Sequence, residues 1–243
     1  MALICVMSVF EEEELIAEAI RSCAGIGIDR VVVFDGAWIG FSSNCHSQDD
    51  TVPIARNEGA IGVRPEHTWK SQAHKRTYMF HNCGAGEGDH VVVLDADERF
   101  TTSSLFPTLE NTHYAVYART IGECEPGRVA YPQGDYSPKY QPFLRLFAYR
   151  KNLVCAFSGG YWDGSLRIRL KNVPVLDGVL IDERWDLRTD ARRAQKATFL
   201  EGYLPQRKEL VDQVKQNRGK LPEALRKELL DFVKKYLKLQ LLL

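Results

Sequence analysis

The feature that most constrains this chain is a short apolar run that ends in two carboxylates. Residues 90–94 read His-Val-Val-Val-Leu, and Asp95 and Asp97 follow them, one residue apart. A β-branched run of this length predicts a buried strand, and open α/β sheets bind ligands at the carboxyl ends of such strands. Alternate side chains of an extended backbone share a face, so the two carboxylates can aim at one point if the backbone stays extended past Leu94.

Two interpretations of this acidic strand end are open. Hard oxygen ligands suit Mg²⁺ or Mn²⁺, which commonly bridge one or two carboxylates to substrate phosphates. The alternative is a solvated acidic turn after an ordinary strand, because short motifs often match by chance. Sequence features elsewhere in the chain distinguish the two interpretations.

Length and composition limit the classes of protein to which this chain can belong. With 243 residues and 44% hydrophobic content, the chain can bury one large core, or a core with a small extension. The opening MALICVMSVFEEEE has no basic segment, so it predicts an internal first strand and not a signal peptide, and a cytoplasmic location is expected. Six cysteines without CxxC spacing predict free thiols, with neither zinc nor disulfides.

The two halves of the chain differ in charge. Residues 1–142 hold 11 Lys and Arg against 20 Asp and Glu, whereas residues 143–243 hold 21 against 12, so the halves carry −9 and +9. The split indicates either an anionic partner for the second half or attraction between the halves.

Strands alternate with helices over the first hundred residues, which predicts a mainly parallel sheet. The periodicity predicts strands over 3–10, 30–34, about 60–63 and 90–94, with helices over 11–23 and 71–82. Short β-like pieces follow at 114–119, 144–149 and 166–169, and the chain from about residue 189 is predicted to be helical. We therefore expect a domain over residues 1–188, with a helical C-terminal extension over 189–243.

The order of these features resembles the nucleotide-binding half of the family 2 glycosyltransferases, which have the Rossmann-like GT-A fold. The resemblance covers roughly residues 1–100 and begins with Met7-Ser8-Val9-Phe10-Glu11-Glu12. It continues with Val31-Val32-Val33-Phe34-Asp35-Gly36, then Lys75-Arg76, and ends with Leu94-Asp95-Ala96-Asp97-Glu98, which looks like the family's metal-binding Asp-x-Asp. The family's usual Asp-Gly-Ser/Thr is here Asp35-Gly36-Ala37.

The resemblance implies a donor half at 1–100, an acceptor half at 101–188 and a set of site residues. Asp35 would hold the base or the ribose of the nucleotide, and Lys75 and Arg76 would add positive charge at its phosphates. On this basis the donor nucleotide would lie against Ser8, Phe10, Glu12, Asp35, Lys75, Arg76, Asp95 and Ala96. Asp95 and Asp97 would hold Mn²⁺ or Mg²⁺. Taken singly, Asp35-Gly36 is equally typical of a turn, and Lys75-Arg76 of a solvated helix face.

The acceptor side is predicted from chemistry. An inverting transfer to a hydroxyl needs a general base, and Asp163, between Trp162 and Gly164, is the candidate. A tight hairpin turn explains the same residues. Family members place a further metal ligand, commonly His, downstream; Asp182 or Glu183 would substitute here. Residues 121–141 suit a flap over the acceptor or an inert excursion.

The sequence thus predicts metal-dependent transfer of a hexose from a nucleotide sugar, with UDP-glucose as the first donor to consider, to a glycan or lipid-linked sugar. A DNA acceptor with a hydroxymethylated pyrimidine is the alternative that the basic second half would accommodate. A nucleotidyltransferase and a non-catalytic nucleotide-sugar binding module also remain. The amphipathic C-terminal helix, residues 225–243, either packs on the domain, forms a dimer or contacts an anionic membrane.

Overall fold

A computed structural model of the chain describes residues 1–39, 41–101, 105–121, 141–157, 160–184, 187, 189, 212–213, 216–217 and 220–240. The fold is mixed α/β, as predicted. Its strands are β1 (Leu3–Ser8), β2 (Arg30–Phe34), β3 (Ile61–Val63), β4 (His90–Asp95), β5 (Glu98–Phe100), β6 (Tyr114–Ile121), β7 (Gln141–Ala148), β8 (Leu153–Phe157), β9 (Gly160–Asp163), β10 (Leu166–Arg167) and β11 (Val175–Arg184). Its helices are α1 (Ile16–Arg21), α2 (Thr51–Asn57), α3 (Gln72–Asn82) and α4 (Glu223–Gln240), with a 3₁₀ turn at Leu170–Asn172.

Eight strands form one sheet in the order β3-β2-β1-β4-β7-β6-β11-β5, and β10-β9-β8 form a second, smaller sheet. The pairs β3-β2, β2-β1, β1-β4 and β6-β11 are parallel. The pairs β4-β7, β7-β6 and β11-β5 are antiparallel. Strands β1 to β4 therefore form one continuous parallel block, and β5, β6, β7 and β11 extend the sheet beyond β4 with mixed pairing.

The central strands are buried on both faces, which explains why they read as continuous apolar runs. Cys5 and Met7 of β1 pack with α1 in one cluster, whereas Ile4 and Val6 pack with α3 in another. Because successive side chains of a strand point to opposite faces, both surfaces of β1 must be apolar. A strand with this pattern sits in the middle of a sheet covered by helices on both sides.

Helix α1 is shorter than predicted, because the glutamates that were expected to open it lie in a turn. Glu11 has a φ of 52°, a left-handed conformation that a helix does not contain. The backbone N–H of Glu11 donates to Ser47 Oγ, and that of Glu12 donates to Thr51 Oγ1, both at 2.7 Å. Partners from a distant loop satisfy these donors, so the helix begins only at Ile16. Thr51 itself opens α2, a helix that the sequence analysis did not predict.

Helix α4 packs on α3 and on the smaller sheet. Leu229 of α4 lies in one apolar cluster with Val154 of β8 and Trp162 of β9. On the polar side, Glu228 forms an ion pair with Lys70, and its Oε1 lies 3.6 Å from His74 Nε2. The described part of the C-terminal extension is thus a packed element of the fold. No helix within the described ranges is long and apolar enough to cross a bilayer.

We expect the stability of this α3–α4 contact to depend on pH through His74. Burial, and then the positive charge of Lys70, lower the pKa of His74 from 6.5 to about 4, although Glu228 opposes the shift. The folded state therefore binds this proton less readily than the unfolded chain, and stability is lost as the pH falls from about 6.5 towards 4. The loss is about 3 kcal/mol at most.

Urea unfolding at pH 7 and at pH 4.5 measures this effect. In His74→Asn, whose amide occupies the place of Nδ1 next to Ser71, the difference between the two pH values should be smaller than in wild type. His81, His90 and His113 also have pKa values lowered by burial, so part of the pH dependence should remain. An identical pH dependence in the variant and in wild type would show that His74 contributes nothing.

Candidate functional site

Strands β1, β2, β3 and β4 run in parallel and end at the same edge of the sheet. Ser8 at the end of β1 is in register with Phe34 on one side and with Asp95 on the other. Asp35 follows β2 directly, and Arg64 follows β3. The structure thus brings three sequence-predicted residues, Ser8, Asp35 and Asp95, to one edge.

The backbone does not stay extended after Asp95, so the predicted reason for Asp95 and Asp97 to share a face is wrong. Strand β4 ends at Asp95, and Ala96 and Asp97 form a turn into β5. The turn arises because β5 pairs with β11 at the far end of the sheet order, and the backbone N–H of Arg184 donates to the carbonyl of Asp97 at 2.6 Å. The Asp95 side chain is 30% exposed, whereas Asp97 is only 3% exposed.

Arg76 holds the carboxylate of Asp95. Its Nη2 lies 3.2 and 3.1 Å from the two Asp95 carboxylate oxygens, and its Nη1 donates to Tyr161 Oη at 2.8 Å. Burial opposes the charge of Arg76, but the Tyr161 oxygen and the Asp95 carboxylate keep its pKa well above the usual value. The guanidinium is therefore a fixed cation that orients Asp95 from within the fold.

Arg145 of β7 is a second cation at this carboxylate, and the sequence did not single it out. Its Nη1 lies 3.8 Å from Asp95 Oδ2, and its Nη2 donates to Glu98 Oε1. Glu98 Oε2 in turn accepts the backbone N–H of Asp95 at 2.8 Å. Arg145 and Glu98 thus fix both the side chain and the backbone of Asp95.

Glu98 is a buried carboxyl with a strongly perturbed pKa. Burial raises the pKa of Glu98 to about 8, and Asp95, Glu183 and Asp97 act in the same direction, while Arg145 opposes them. The group is 2% exposed. Three other carboxylates therefore act on Glu98 at this end of the sheet, and Arg145 is the cation that opposes them.

Lys75 does not face the open side of this edge. It is completely buried, and its Nζ donates to the carbonyl oxygens of Val9 at 2.8 Å and Gly36 at 2.7 Å. Burial lowers the pKa of Lys75 to about 7, although Asp35 and Asp95 favour its charged form. The ammonium group ties the chain after β1 to the chain after β2.

Asp35 is completely buried and bound by protein donors. Its carboxylate accepts hydrogen bonds from Ser47 Oγ at 2.6 Å and from the backbone N–H groups of Gly36 and Ser47 at 2.7 and 3.0 Å. Arg64 Nε lies 3.3 Å from Asp35 Oδ2 and is partly exposed. In this arrangement Asp35 anchors the loop after β2, and a nucleotide would have to replace one of these donors to reach it.

The turn after β1 carries the other predicted donor residues. Phe10 is 4% exposed and packs edge-on against Phe41, with ring centroids 5.6 Å apart. Ser8 and Glu12 are half-buried. These residues line the carboxyl edge next to Asp35, so the structure groups them with the predicted site.

Asp163 lies at the opposite end of the sheet. Its Oδ2 is 3.9 Å from His113 Nε2 and 3.9 Å from Arg150 Nε. Both neighbours adjoin the amino end of β4, because β7 brings Ala148 into register with His90. Asp95 terminates the other end of β4, roughly 16 Å from His90 for five steps of about 3.3 Å each. The structure does not bring Asp163 to Asp95.

Asp182 and Glu183 of β11 point to opposite faces, as neighbours in a strand do. Asp182 is engaged by Arg119, whose Nε and Nη2 lie 2.8 and 3.0 Å from its two oxygens. Glu183 is the member of the pair whose charge raises the pKa of Glu98. The β11 carboxylate that shares the electrostatic neighbourhood of Asp95 and Asp97 is thus Glu183.

The predicted metal ligands Asp95 and Asp97 offer a cation at most two carboxylates. Within the described parts of the chain, no group of three His, Cys, Asp or Glu residues is arranged to hold a metal ion. Magnesium-like ions need only one or two carboxylates when substrate phosphates and water supply the other ligands. The partly exposed Asp95 can serve as one of them, whereas Asp97 is buried in the turn that follows.

Sequence reasoning missed Glu98, Arg145 and Tyr161 as the residues that fix Asp95 and Arg76. Glu98 follows Asp97 directly, so only its burial distinguishes it from a solvated acidic residue. Arg145 lies in the alternating stretch 141–148, where a charged side chain among apolar neighbours is a signal of pairing. Tyr161 is 1% exposed, and its hydroxyl accepts a hydrogen bond from Arg76.

Comparison with known proteins finds likenesses only at the level of structure. No protein family and no curated protein matches the sequence. Among solved structures, TarS of S. aureus matches 62% of this chain and 29% of its own, with 14% identity and a TM-score of 0.40. Glucosyl-3-phosphoglycerate synthase of Mycobacterium tuberculosis, solved with Mn²⁺, UDP and glucosyl-3-phosphoglycerate, matches 50% of this chain and 44% of its own, with 20% identity and a TM-score of 0.35.

A third match is 4-diphosphocytidyl-2C-methyl-D-erythritol synthase, over 61% of this chain and 75% of its own, with 14% identity and a TM-score of 0.36. TarS and the phosphoglycerate synthase are GT-A glycosyltransferases, the class that the sequence resembles. The chain spans less than half the length of either one. Likenesses this distant establish no shared activity.

Proposed function

We propose that this chain is a metal-dependent glycosyltransferase that transfers a hexose from a nucleotide sugar to a hydroxyl acceptor. The observation that carries the proposal is the position of Asp95. Its carboxylate ends a central parallel strand, remains 30% exposed, and is fixed by two largely buried guanidinium groups from α3 and β7. A ligand site at the carboxyl ends of parallel strands is where open α/β sheets bind nucleotides.

The chain's own residues supply a preorganised site for a nucleoside diphosphate. Arg76 and Glu98 hold Asp95 in place, so little reorganisation is needed when a ligand arrives. Lys75 fixes the spacing between the ends of β1 and β2, next to which the base and ribose would lie. Ser8, Phe10, Glu12 and Ala96 line the same edge, and Arg64, partly exposed beside Asp35, is a further donor for the nucleotide.

Asp95 and Asp97 would hold Mn²⁺ or Mg²⁺ together with the diphosphate. When bound, the cation stabilises the negative charge that builds on the leaving diphosphate. Asp35 reaches the nucleotide only if Ser47 or Arg64 gives way. Asp163 and Asp182 have no part in the donor site as we propose it, because His113 and Arg150 neighbour the first, and Arg119 binds the second.

UDP-glucose is the donor to test first, and a glycan or a lipid-linked sugar is the acceptor class that we propose. No contact among the described residues favours a nucleic acid acceptor. A cytoplasmic location is a further part of the proposal. Residues 1–188 would form the transferase domain, although residues 122–140 of the predicted acceptor flap at 121–141 and most of the extension after residue 188 lie outside the described residues.

Nucleotide-sugar turnover in the presence of Mn²⁺ tests the proposal. Wild type should release UDP from a nucleotide sugar only with the metal, and the metal with UDP should raise the midpoint of thermal unfolding. Asp97→Asn should lower turnover by about a hundredfold or more, because it removes one of two metal carboxylates. Asp163→Asn is the matched control, and it should keep wild-type turnover.

Each other outcome has a definite meaning. Turnover that survives in Asp97→Asn would remove the metal site from the proposal, and turnover lost in Asp163→Asn would move the catalytic site to the other end of β4. Release of pyrophosphate from a nucleoside triphosphate, with no UDP from any nucleotide sugar, would replace the transferase by a nucleotidyltransferase. The thermal midpoint of each variant without ligand separates loss of function from loss of fold.

A further inference from the structure

A basic and apolar surface lies on the smaller sheet, away from the carboxyl edge. Two exposed leucines and three exposed cations occupy the stretch 164–172, which contains no Asp or Glu. Leu166 is 70% exposed and Leu170 is 39% exposed. We call the following residues the β10 patch: Leu166, Arg167, Arg169, Leu170 and Lys171. Single exposed leucines are ordinary on protein surfaces. Here two exposed leucines and three cations lie together within six residues, so they form a patch.

The three cations of the patch have different surroundings. Arg167 lies over the ring of Trp162, 5.7 Å from its centroid, and its pKa is lowered first by burial and then by the positive charge of Arg169. Within the part of the chain that the structure describes, neither Arg169 nor Lys171 forms an ion pair. The patch also belongs to the half of the chain that carries 21 Lys and Arg against 12 Asp and Glu.

The chemistry of the patch selects one kind of partner. Cations alone would suit any polyanion, but leucine side chains gain nothing from a phosphate backbone. An anionic phospholipid surface offers charge for the three cations and an acyl boundary for the two leucines. Arg167 contributes in addition by its stem, since long cationic side chains cover apolar surface while the charge stays at the headgroups.

We propose that the β10 patch docks this protein on anionic phospholipid membranes. The inference rests on exposure and charge in residues 164–172 and does not depend on the transferase activity. A cation close to an anionic bilayer strengthens binding about fivefold, so three of them give about a hundredfold preference for anionic over neutral vesicles. The binding is reversible, because two leucines bury less apolar surface than a single acyl chain, which by itself anchors only weakly.

Vesicle flotation of the full chain tests this proposal at about 0.1 M salt. The probes are phosphatidylcholine vesicles with about one-third phosphatidylserine, and pure phosphatidylcholine vesicles. Wild type should bind the anionic vesicles about a hundredfold more tightly. Arg169→Glu with Lys171→Glu should abolish the preference, and Leu166→Ser with Leu170→Ser should weaken binding to anionic vesicles about tenfold.

Matched controls lie elsewhere on the surface. Arg21→Glu reverses a cation on α1 whose side chain is 64% exposed, and Leu105→Ser removes a leucine that is 67% exposed; both should bind like wild type. All positions are exposed, so thermal midpoints should stay close to wild type. Equal binding to both vesicle types overturns the proposal, as does normal binding by either patch variant. Binding to a DNA duplex that resists the leucine substitutions, without vesicle binding, would also overturn it.

Discussion

Replacing Arg76 with methionine is expected to lower the free energy of unfolding by about 3 kcal/mol, the low end for breaking a buried ion pair. The change leaves Tyr161 Oη without its Nη1 donor and leaves Asp95 with Arg145 as its remaining cation. The effect stays at the low end because the Asp95 side chain is 30% exposed and water can solvate part of its charge. Urea unfolding at pH 7 measures the difference.

Two further variants test the physical reason. Arg76→Lys keeps the charge but not the planar fork, so it should fall between wild type and Arg76→Met. Asp95→Asn in the Arg76→Met background should destabilise less than it does in wild type, with a coupling of about 1 to 2 kcal/mol. A loss below about 1 kcal/mol for Arg76→Met would mean that the pair does not order this end of the sheet.

The second large effect is expected at Lys75. Lys75→Met removes the donor that joins the carbonyls of Val9 and Gly36, and each carbonyl left buried without it costs about 1 to 3 kcal/mol. The substitution also removes a buried charge, which offsets part of that cost below neutral pH. We therefore expect a net destabilisation of about 3 kcal/mol at pH 9 and a smaller one at pH 6.

The sign of this pH dependence follows from the pKa of Lys75, which burial lowers to about 7. Between pH 7 and about 10.4 the unfolded chain binds this proton more readily than the folded protein, so unfolding becomes harder as the pH rises. Unfolding curves of wild type and Lys75→Met at pH 6 and pH 9 measure the change. Lys151→Met, at an exposed position, should show no comparable difference. A larger effect at pH 6 than at pH 9 would contradict the proposed neutralisation of Lys75.

Several elements were predictable because local sequence alone decides them. Strand β2 was predicted with its observed bounds, and β4 was predicted to one residue, because strands buried on both faces must be apolar throughout. Helix α3 was predicted to one residue, since Ser71, whose side chain accepts the backbone N–H of His74, marks its start. The fold class followed from the alternation of these strands and helices.

Other features were not predictable, because their causes lie far away in sequence. The start of α1 depends on Ser47 and Thr51, which bind the backbone of Glu11 and Glu12 from 36 and 39 residues away. The turn at Asp97 depends on the pairing of β5 with β11. No local pattern contains such a partner, so the glutamates were taken for the first turn of a helix and Asp97 for part of an extended strand.

The sequence by itself determined which strands are central and that carboxylates stand at the end of β4, since burial on two faces dictates the residue types. Only the tertiary structure decided what those groups contact. It assigned Arg76 and Arg145 to Asp95, closed Ser47 over Asp35, and carried Asp163 to the other end of the sheet. The physical reason is that a buried charge must find its partner in three dimensions, and the chain supplies that partner from whichever strand or helix packs against it.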